Sequence, residues 1–206
     1  MAVYFHERDL PVDHGLGAHG AVAVDTETMG LSLTRDALCL VQLSSGDGDA
    51  HIVRPDRVSY DCPNLKALLA DSSVQKIFHY ARFDLAMIRT YLGVEVTPVF
   101  CTKIASRLAR TYTDRHGLKD LARELVGLEM NKQQQSSDWG AAILSPEQLD
   151  YAASDVLYLH RMRDALIAML TREGRLELAQ QCFAFLPARA RLDLAGWNDV
   201  DIFAHS

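Results

Sequence analysis

Two carboxylates stand two residues apart at the end of an apolar run: AVAVDTETMG (residues 21–30) sets Asp25 and Glu27 directly after Ala21–Val24. In a strand, side chains at i and i+2 leave the same face. Acids brought that close repel, and one is driven toward protonation. Hard divalent cations remove the conflict, because Mg²⁺ and Mn²⁺ prefer carboxylate oxygen. A third acid, Asp84, closes KIFHYARFD (76–84), where a strand pattern hands over to a helix. The macrodipole favours an acid in the first helical turn anyway, so Asp84 by itself would mark nothing more.

The next signal lies in LSPEQLDYAASDVLYLH (144–160). Ser145 as N-cap, Pro146 at the first helical position and Gln148 at N3 form a capping box, which sets the phase of the helix. Tyr151 and Asp155 then share one face, about 5–6 Å apart at Cβ. Ala152, Ala153 and Ser154 between them are small enough to let another element approach.

These side chains need elements to hold them. Ala21–Asp25, Leu38–Leu43, Ala50–Val53 and Val74–His79 read as strands, with turns at Leu31–Ala37 and SSGDGD (44–49). Pro63–Leu69 and Phe83–Leu92, the latter stopped by Gly93, read as helices. From Thr102 helical periodicity dominates, over roughly 102–111, 117–126, 146–170 and 173–186. Strands first and helices later predict an α/β domain with a mixed central sheet. In the tail after Pro187, Trp197 and Phe203 anchor to the body or to a neighbouring subunit, with core anchoring the preferred reading.

A chain of 206 residues suits one domain. Hydrophobic content of 49% and charged content of 23% are those of a globular protein. A net charge of -6 argues against bulk electrostatic wrapping of nucleic acid, although cations in an acidic site reverse the local sign. Cys39, Cys62, Cys101 and Cys182 are scattered without a CxxC pair and read as reduced thiols. The opening MAVYFHERDL lacks the basic and apolar regions of a signal peptide, and ALIAML (165–170) is far short of the ~20 apolar residues that span a bilayer. A cytoplasmic protein with no membrane partner is expected.

DTE, an HxxxxD after a strand and YxxxD on a late helix together resemble the DEDD 3′–5′ exonucleases, and the tyrosine marks the DEDDy branch. QQSSDWGAAILSPEQLDYAASDVLYLHRM (134–162) is similar to the ribonuclease D signature, and the likeness runs from about residue 20 to 170. The second motif is HYARFD rather than the asparagine-containing form of some relatives. The resemblance implies a ribonuclease H-like fold in which Asp25, Glu27, Asp84 and Asp155 converge on two divalent cations, Mg²⁺ or Mn²⁺. It further implies that Asp25 bridges both, Asp84 mainly holds metal-bound water, and Tyr151 orients the attacking water.

For substrate it implies that Thr28, Met29, Gly30 and Leu31 meet the 3′-terminal sugar and base. Gly30 permits close backbone approach; Leu31 is either a wedge beside the last base or an ordinary turn residue. His79 contacts the scissile region or is a satisfied strand-end histidine. Trp139 stacks on a base or packs against a helix. Lys132, the cation of NKQQQSSDWG (131–140), is a candidate phosphate contact. Arg107, Arg110 and Arg115 fit a solvated helix face better than a phosphate-facing edge.

About fifty residues follow Asp155, too few for the extra helical domains of ribonuclease D. One exonuclease domain over 1–206 is expected, with a motif core at about 20–170 and C-terminal helices and tail at 171–206. In length the chain resembles the short, stand-alone nano-RNase C group. That likeness implies release of 5′-mononucleotides from short RNA oligonucleotides down to dinucleotides, and a homo-oligomer in the form of an octameric ring. A DNA-directed exonuclease acting on single-strand or duplex ends is the alternative, since nothing in the motifs separates ribose from deoxyribose. An inactive nucleic-acid-binding module is a further one, and the complete set of acids speaks against it.

Overall fold

The computed structural model describes residues 2–130 and 137–205. Among them six strands form one mixed sheet in the order β1-β4-β3-β2-β5-β6. These are β1 (Val3–Glu7), β2 (Ala21–Thr28), β3 (Leu38–Ser44), β4 (Ala50–Arg54), β5 (Gln75–Phe78) and β6 (Val99–Cys101). The hairpin-linked β2, β3 and β4 run antiparallel, whereas β1 joins β4 and β5 joins both β2 and β6 in parallel. The four expected strands are present. The alternation of β1 is blurred at a half-exposed edge, and β6 is three residues long, too short to show a period.

The sheet is covered on both faces, which is why the first half of β2 and all of β3 are buried whatever their parity. On one face Leu40 and Ile52 pack with Trp139 and Ala152. On the other, Val41, Leu43 and Val53 enter the larger cluster with Leu85 and Ile88. Parity therefore assigns the polar residues too. Asp25 and Glu27 lie opposite Gln42 and Leu40, on the first face, and Thr26 lies opposite Val41, on the second.

The helices are α1 (Pro63–Ala70), α2 (Ala81–Leu92), α3 (Thr102–Ala109), α4 (Leu118–Leu121), α5 (Pro146–Leu157), α6 (Leu159–Arg172) and α7 (Leu176–Leu192). Gly93 ends α2 in the left-handed region (φ 70°), its N–H returning to Arg89 O. A π-helical turn, Ala122–Val126, continues α4, and a second, Asp193–Trp197, follows α7. The single helix expected over 146–170 breaks at Tyr158 (φ -110°, ψ 0°), so α5 lies on β2, β3 and β4 while α6 packs on α3 and α7. The break carries no glycine or proline, hence no local signal.

Helix α7 passes through Pro187 rather than stopping before it. Core anchoring of the tail is corrected: Trp197 and Phe203 remain exposed, and polar groups hold the segment. Asp193, almost fully buried, pairs with Arg82 of α2 and with Arg189 at 2.8 Å. Arg82 and Arg189 also donate to Asn198 O. The four cysteines are free, as expected, and three are buried.

Lys76 in β5 is fully buried, and its ammonium donates to three carbonyls: Asp71 O, Val74 O at 2.7 Å and Thr97 O at 2.8 Å. It ties the turn before β5 to the one before β6. Lys76→Met keeps much of the apolar stem but strands three acceptors. The expected loss is about 3 kcal/mol, read as a melting temperature lower by roughly 6–12 °C. A shift under 2 °C in scanning calorimetry would show that water takes over those carbonyls at no cost.

Candidate active site

Period two in β2 and the capped phase of α5 bring three acids together. One carboxylate oxygen each from Asp25, Glu27 and Asp155 lies within 4.8 Å of the other two, and all three residues are half-buried. The box that sets α5 is formed as expected: Ser145 Oγ accepts from Gln148 N–H at 3.2 Å, and Gln148 Oε1 from Ser145 N–H at 2.9 Å.

Asp84 stands outside this triplet. It is 4% exposed and reaches the site from α2, where Thr26 Oγ1 donates to its Oδ1 at 2.6 Å. Thr26, between the two acids of the strand, faces the opposite layer; its role was not read from the sequence. Tyr151 lies one turn above Asp155 and its phenol is hydrogen-bonded to that carboxylate.

The electrostatics are those of carboxylates crowded together in a partly buried site. Burial, then Asp84, Asp155 and Glu27, push Asp25 well above the usual carboxylate range. Burial, then Asp155 and Asp84, push Glu27 up to about 9. Burial lifts Asp84 to about 7 against the opposing hydrogen bond from Thr26. Burial and the three nearby acids raise Tyr151, so its phenol is neutral at ordinary pH. Three convergent carboxylate oxygens are the donor set that a hard divalent ion prefers.

A pH dependence follows. A carboxyl whose folded pKa exceeds its unfolded value of ~4.3 contributes stability that is full below that value and lost as pH climbs to the folded pKa. In EDTA the melting temperature of Glu27→Gln should therefore exceed that of the wild type by a margin that widens from pH 5 to pH 9. A margin constant with pH would show that Glu27 is ionised in the metal-free fold.

The turn after the acids is built tightly. Thr28 Oγ1 donates to Gly30 O at 2.5 Å, and Met29 N–H to Ala37 O at 3.0 Å. Asp36 closes the turn by accepting from Ser32 N–H at 2.9 Å and pairing with Arg35 at 2.7 Å. A Cβ at Gly30 would run into the Asp36 carboxylate, so the glycine serves that approach. Met29 is half exposed and Leu31 is 85% exposed, so both present apolar surface to solvent. From Leu31 a groove of about 530 Å³ runs past Tyr80 and Phe83 to Leu194 and Asn198, ending at the anchored tail.

His79 Nδ1 lies 2.9 Å from Thr102 Oγ1, whose single proton goes to Phe78 O at 3.1 Å. The ring must therefore donate through Nδ1, leaving Nε2 as an acceptor. Burial holds its pKa at about 3, so it is neutral. It can accept from a hydroxyl and cannot neutralise a phosphate.

Trp139 is 3% exposed and packs 6.0 Å from Tyr151, centroid to centroid. Base stacking on this indole is corrected to a packing role, since neither face is open. Arg110, read as part of a solvated face, is fully buried and pairs with Glu124. Lys132 lies outside the described residues. Arg57 was missed: it donates to Gly140 O at 2.9 Å and sits 3.8 Å from Met29 Sδ, tying the Trp139 segment to the turn.

Comparison with known proteins identifies the family and the fold. A family model described as 3′–5′ exonuclease matches residues 14–171. The ribonuclease D of Acidiphilium cryptum is 36% identical over 180 residues, covering 86% of this chain and 45% of that protein. The chain thus spans less than half the length of the curated ribonuclease D relatives it matches first. Brucella melitensis NrnC bound to pGG is 53% identical with a TM-score of 0.95, and 100% of each chain is covered. The same protein with bound Mg²⁺ is 52% identical with a TM-score of 0.94, again over 100% of both chains. Escherichia coli ribonuclease D, 24% identical with a TM-score of 0.76, shares the fold over 94% of this chain and 54% of its own. The mixed sheet flanked by helices is the α/β, ribonuclease H-like fold of these structures.

Proposed function

Because the chain belongs to the 3′–5′ exonuclease family, in its ribonuclease D-like branch and close to NrnC, we propose that it is a metal-dependent 3′–5′ exonuclease. It releases 5′-mononucleotides from short RNA oligonucleotides, down to dinucleotides. The observation that carries the reading is the meeting of Asp25, Glu27 and Asp155 within 4.8 Å, from a strand and a helix 130 residues apart at their extremes (residues 25 to 155).

Asp25, Glu27 and Asp155 would hold the divalent ions, with Asp84 set by Thr26 at the margin. Such ions, when bound, neutralise the phosphodiester and lower the pKa of water. The chain supplies the rest. Tyr151, neutral, holds Asp155 by its phenol and orients the attacking water. The Thr28–Leu31 turn receives the terminal sugar and base, and His79 Nε2 accepts from a sugar hydroxyl. Hydrolysis breaks the bond from phosphorus to the 3′ oxygen of the preceding nucleotide, which leaves with a proton.

Preference for short chains is supported by the groove that starts at Leu31 and ends at the tail pinned by Arg82. NrnC bound to pGG supports it as well. Exposed Trp197, Val200, Ile202 and Phe203 favour the homo-oligomeric reading, which native mass measurement tests. No helix among the described residues is long and apolar enough to cross a membrane.

The deciding experiment uses 5′-labelled RNA and matched DNA from two to about twenty nucleotides, with Mg²⁺ or Mn²⁺ and then EDTA. Metal-dependent shortening from the 3′ end, fastest on the shortest RNAs, is expected. Absence of shortening rejects the activity; preference for DNA or for the longest RNAs rejects the substrate class.

A further inference from the structure

One residue of β3 is out of character. Its run LCLVQLS is buried throughout, and Gln42 is fully buried within it. Neither Oε1 nor Nε2 of that amide has a hydrogen-bond partner among the described residues. The other polar side chain of the strand is satisfied, Ser44 Oγ donating to Asp49 O at 2.7 Å. An orphaned buried amide is costly, and an aliphatic side chain would fill the space without the cost.

Register says what the amide is near. Gln42 lies directly opposite Asp25 in the antiparallel β2–β3 pair. Directly opposed side chains leave the same face with Cβ atoms about 4.5–5.5 Å apart, within reach of a glutamine amide. On the other side Gln42 is opposite Ile52, which offers no polar atom. The same face carries α5 with Tyr151 and Asp155.

We propose that Gln42 is a positioning residue for Asp25: its amide, unpaired in the metal-free fold, donates through N–H to the Asp25 carboxylate when a divalent cation is bound, directly or across one water, and holds it in the orientation that ligates the ion. This rests on the reading of Asp25 as a metal ligand. Hydrogen bonds behind a ligating group typically change metal affinity 10–100-fold when removed.

Gln42→Leu and Gln42→Met, both without a donor, test it in the full chain. Melting temperature is recorded in EDTA and across a Mn²⁺ titration, with the metal dissociation constant confirmed by calorimetry. The expected result is an EDTA melting temperature equal to or above wild type, since an orphan is removed, with the Mn²⁺ dissociation constant raised about tenfold or more. An unchanged dissociation constant in both variants overturns the assignment. So does a lower melting temperature in EDTA, which would mean that the amide is paired within the fold itself. A wild type whose melting ignores Mn²⁺ overturns the metal site and this inference together, which separates the two failures.

Discussion

Asp25→Asn should lower the rate on a short RNA at least ~10³-fold and raise the melting temperature of the metal-free protein by roughly 2–4 °C. Opposite signs are expected because the same charge serves one state and burdens the other. With cations bound, the Asp25 carboxylate is one of three convergent donors, and losing a ligand removes several kcal/mol of transition-state stabilisation. Without cations, it is pressed by burial and by Asp84, Asp155 and Glu27. Asparagine keeps the shape and removes the repulsion, a gain of about 1 kcal/mol. Single-turnover hydrolysis and calorimetry in EDTA read the two effects on one preparation. Activity within tenfold of wild type would remove Asp25 from the metal site. A lower melting temperature would show that the carboxylate is paired rather than repelled in the metal-free fold.

The site was legible where a residue's direction follows from local geometry. Period two in β2 put Asp25 and Glu27 on one face, and the Ser145–Gln148 box fixed where Tyr151 and Asp155 point. What stayed hidden depends on contacts far along the chain. Thr26 matters through a hydrogen bond to Asp84, 58 positions away, and a threonine in a strand has no sequence mark of that duty. Trp139 and Arg110 sit in polar-looking stretches, yet tertiary packing buries both. The break at Tyr158 is likewise tertiary: α5 follows the sheet while α6 turns to α3 and α7, and Leu157–His160 would continue a helix equally well. Gln42 is the reverse case. Its oddity is visible in LCLVQLS, and its meaning needs the register with Asp25.

Tyr151→Phe should lower kcat about 10²-fold, the scale seen when one positioned hydrogen bond is removed from a transition state, while the Mn²⁺-induced rise in melting temperature persists. The phenol is neutral, because burial and the charges of Asp155, Glu27 and Asp25 raise its pKa from an already high value. It therefore cannot serve as a phenolate base, and it works only through the hydrogen bonds its hydroxyl makes. One goes to Asp155, which phenylalanine leaves in place on the same face of α5. The ring itself packs against Trp139, so phenylalanine preserves that wall. The pH dependence of the residual rate should keep the wild-type form, since the lost group does not titrate in the working range. Loss of the Mn²⁺ response along with the rate would instead place the hydroxyl behind Asp155 as a support for metal binding. An unaltered kcat would show that the carboxylates and their ions suffice, leaving the tyrosine as a spacer between Asp155 and the indole.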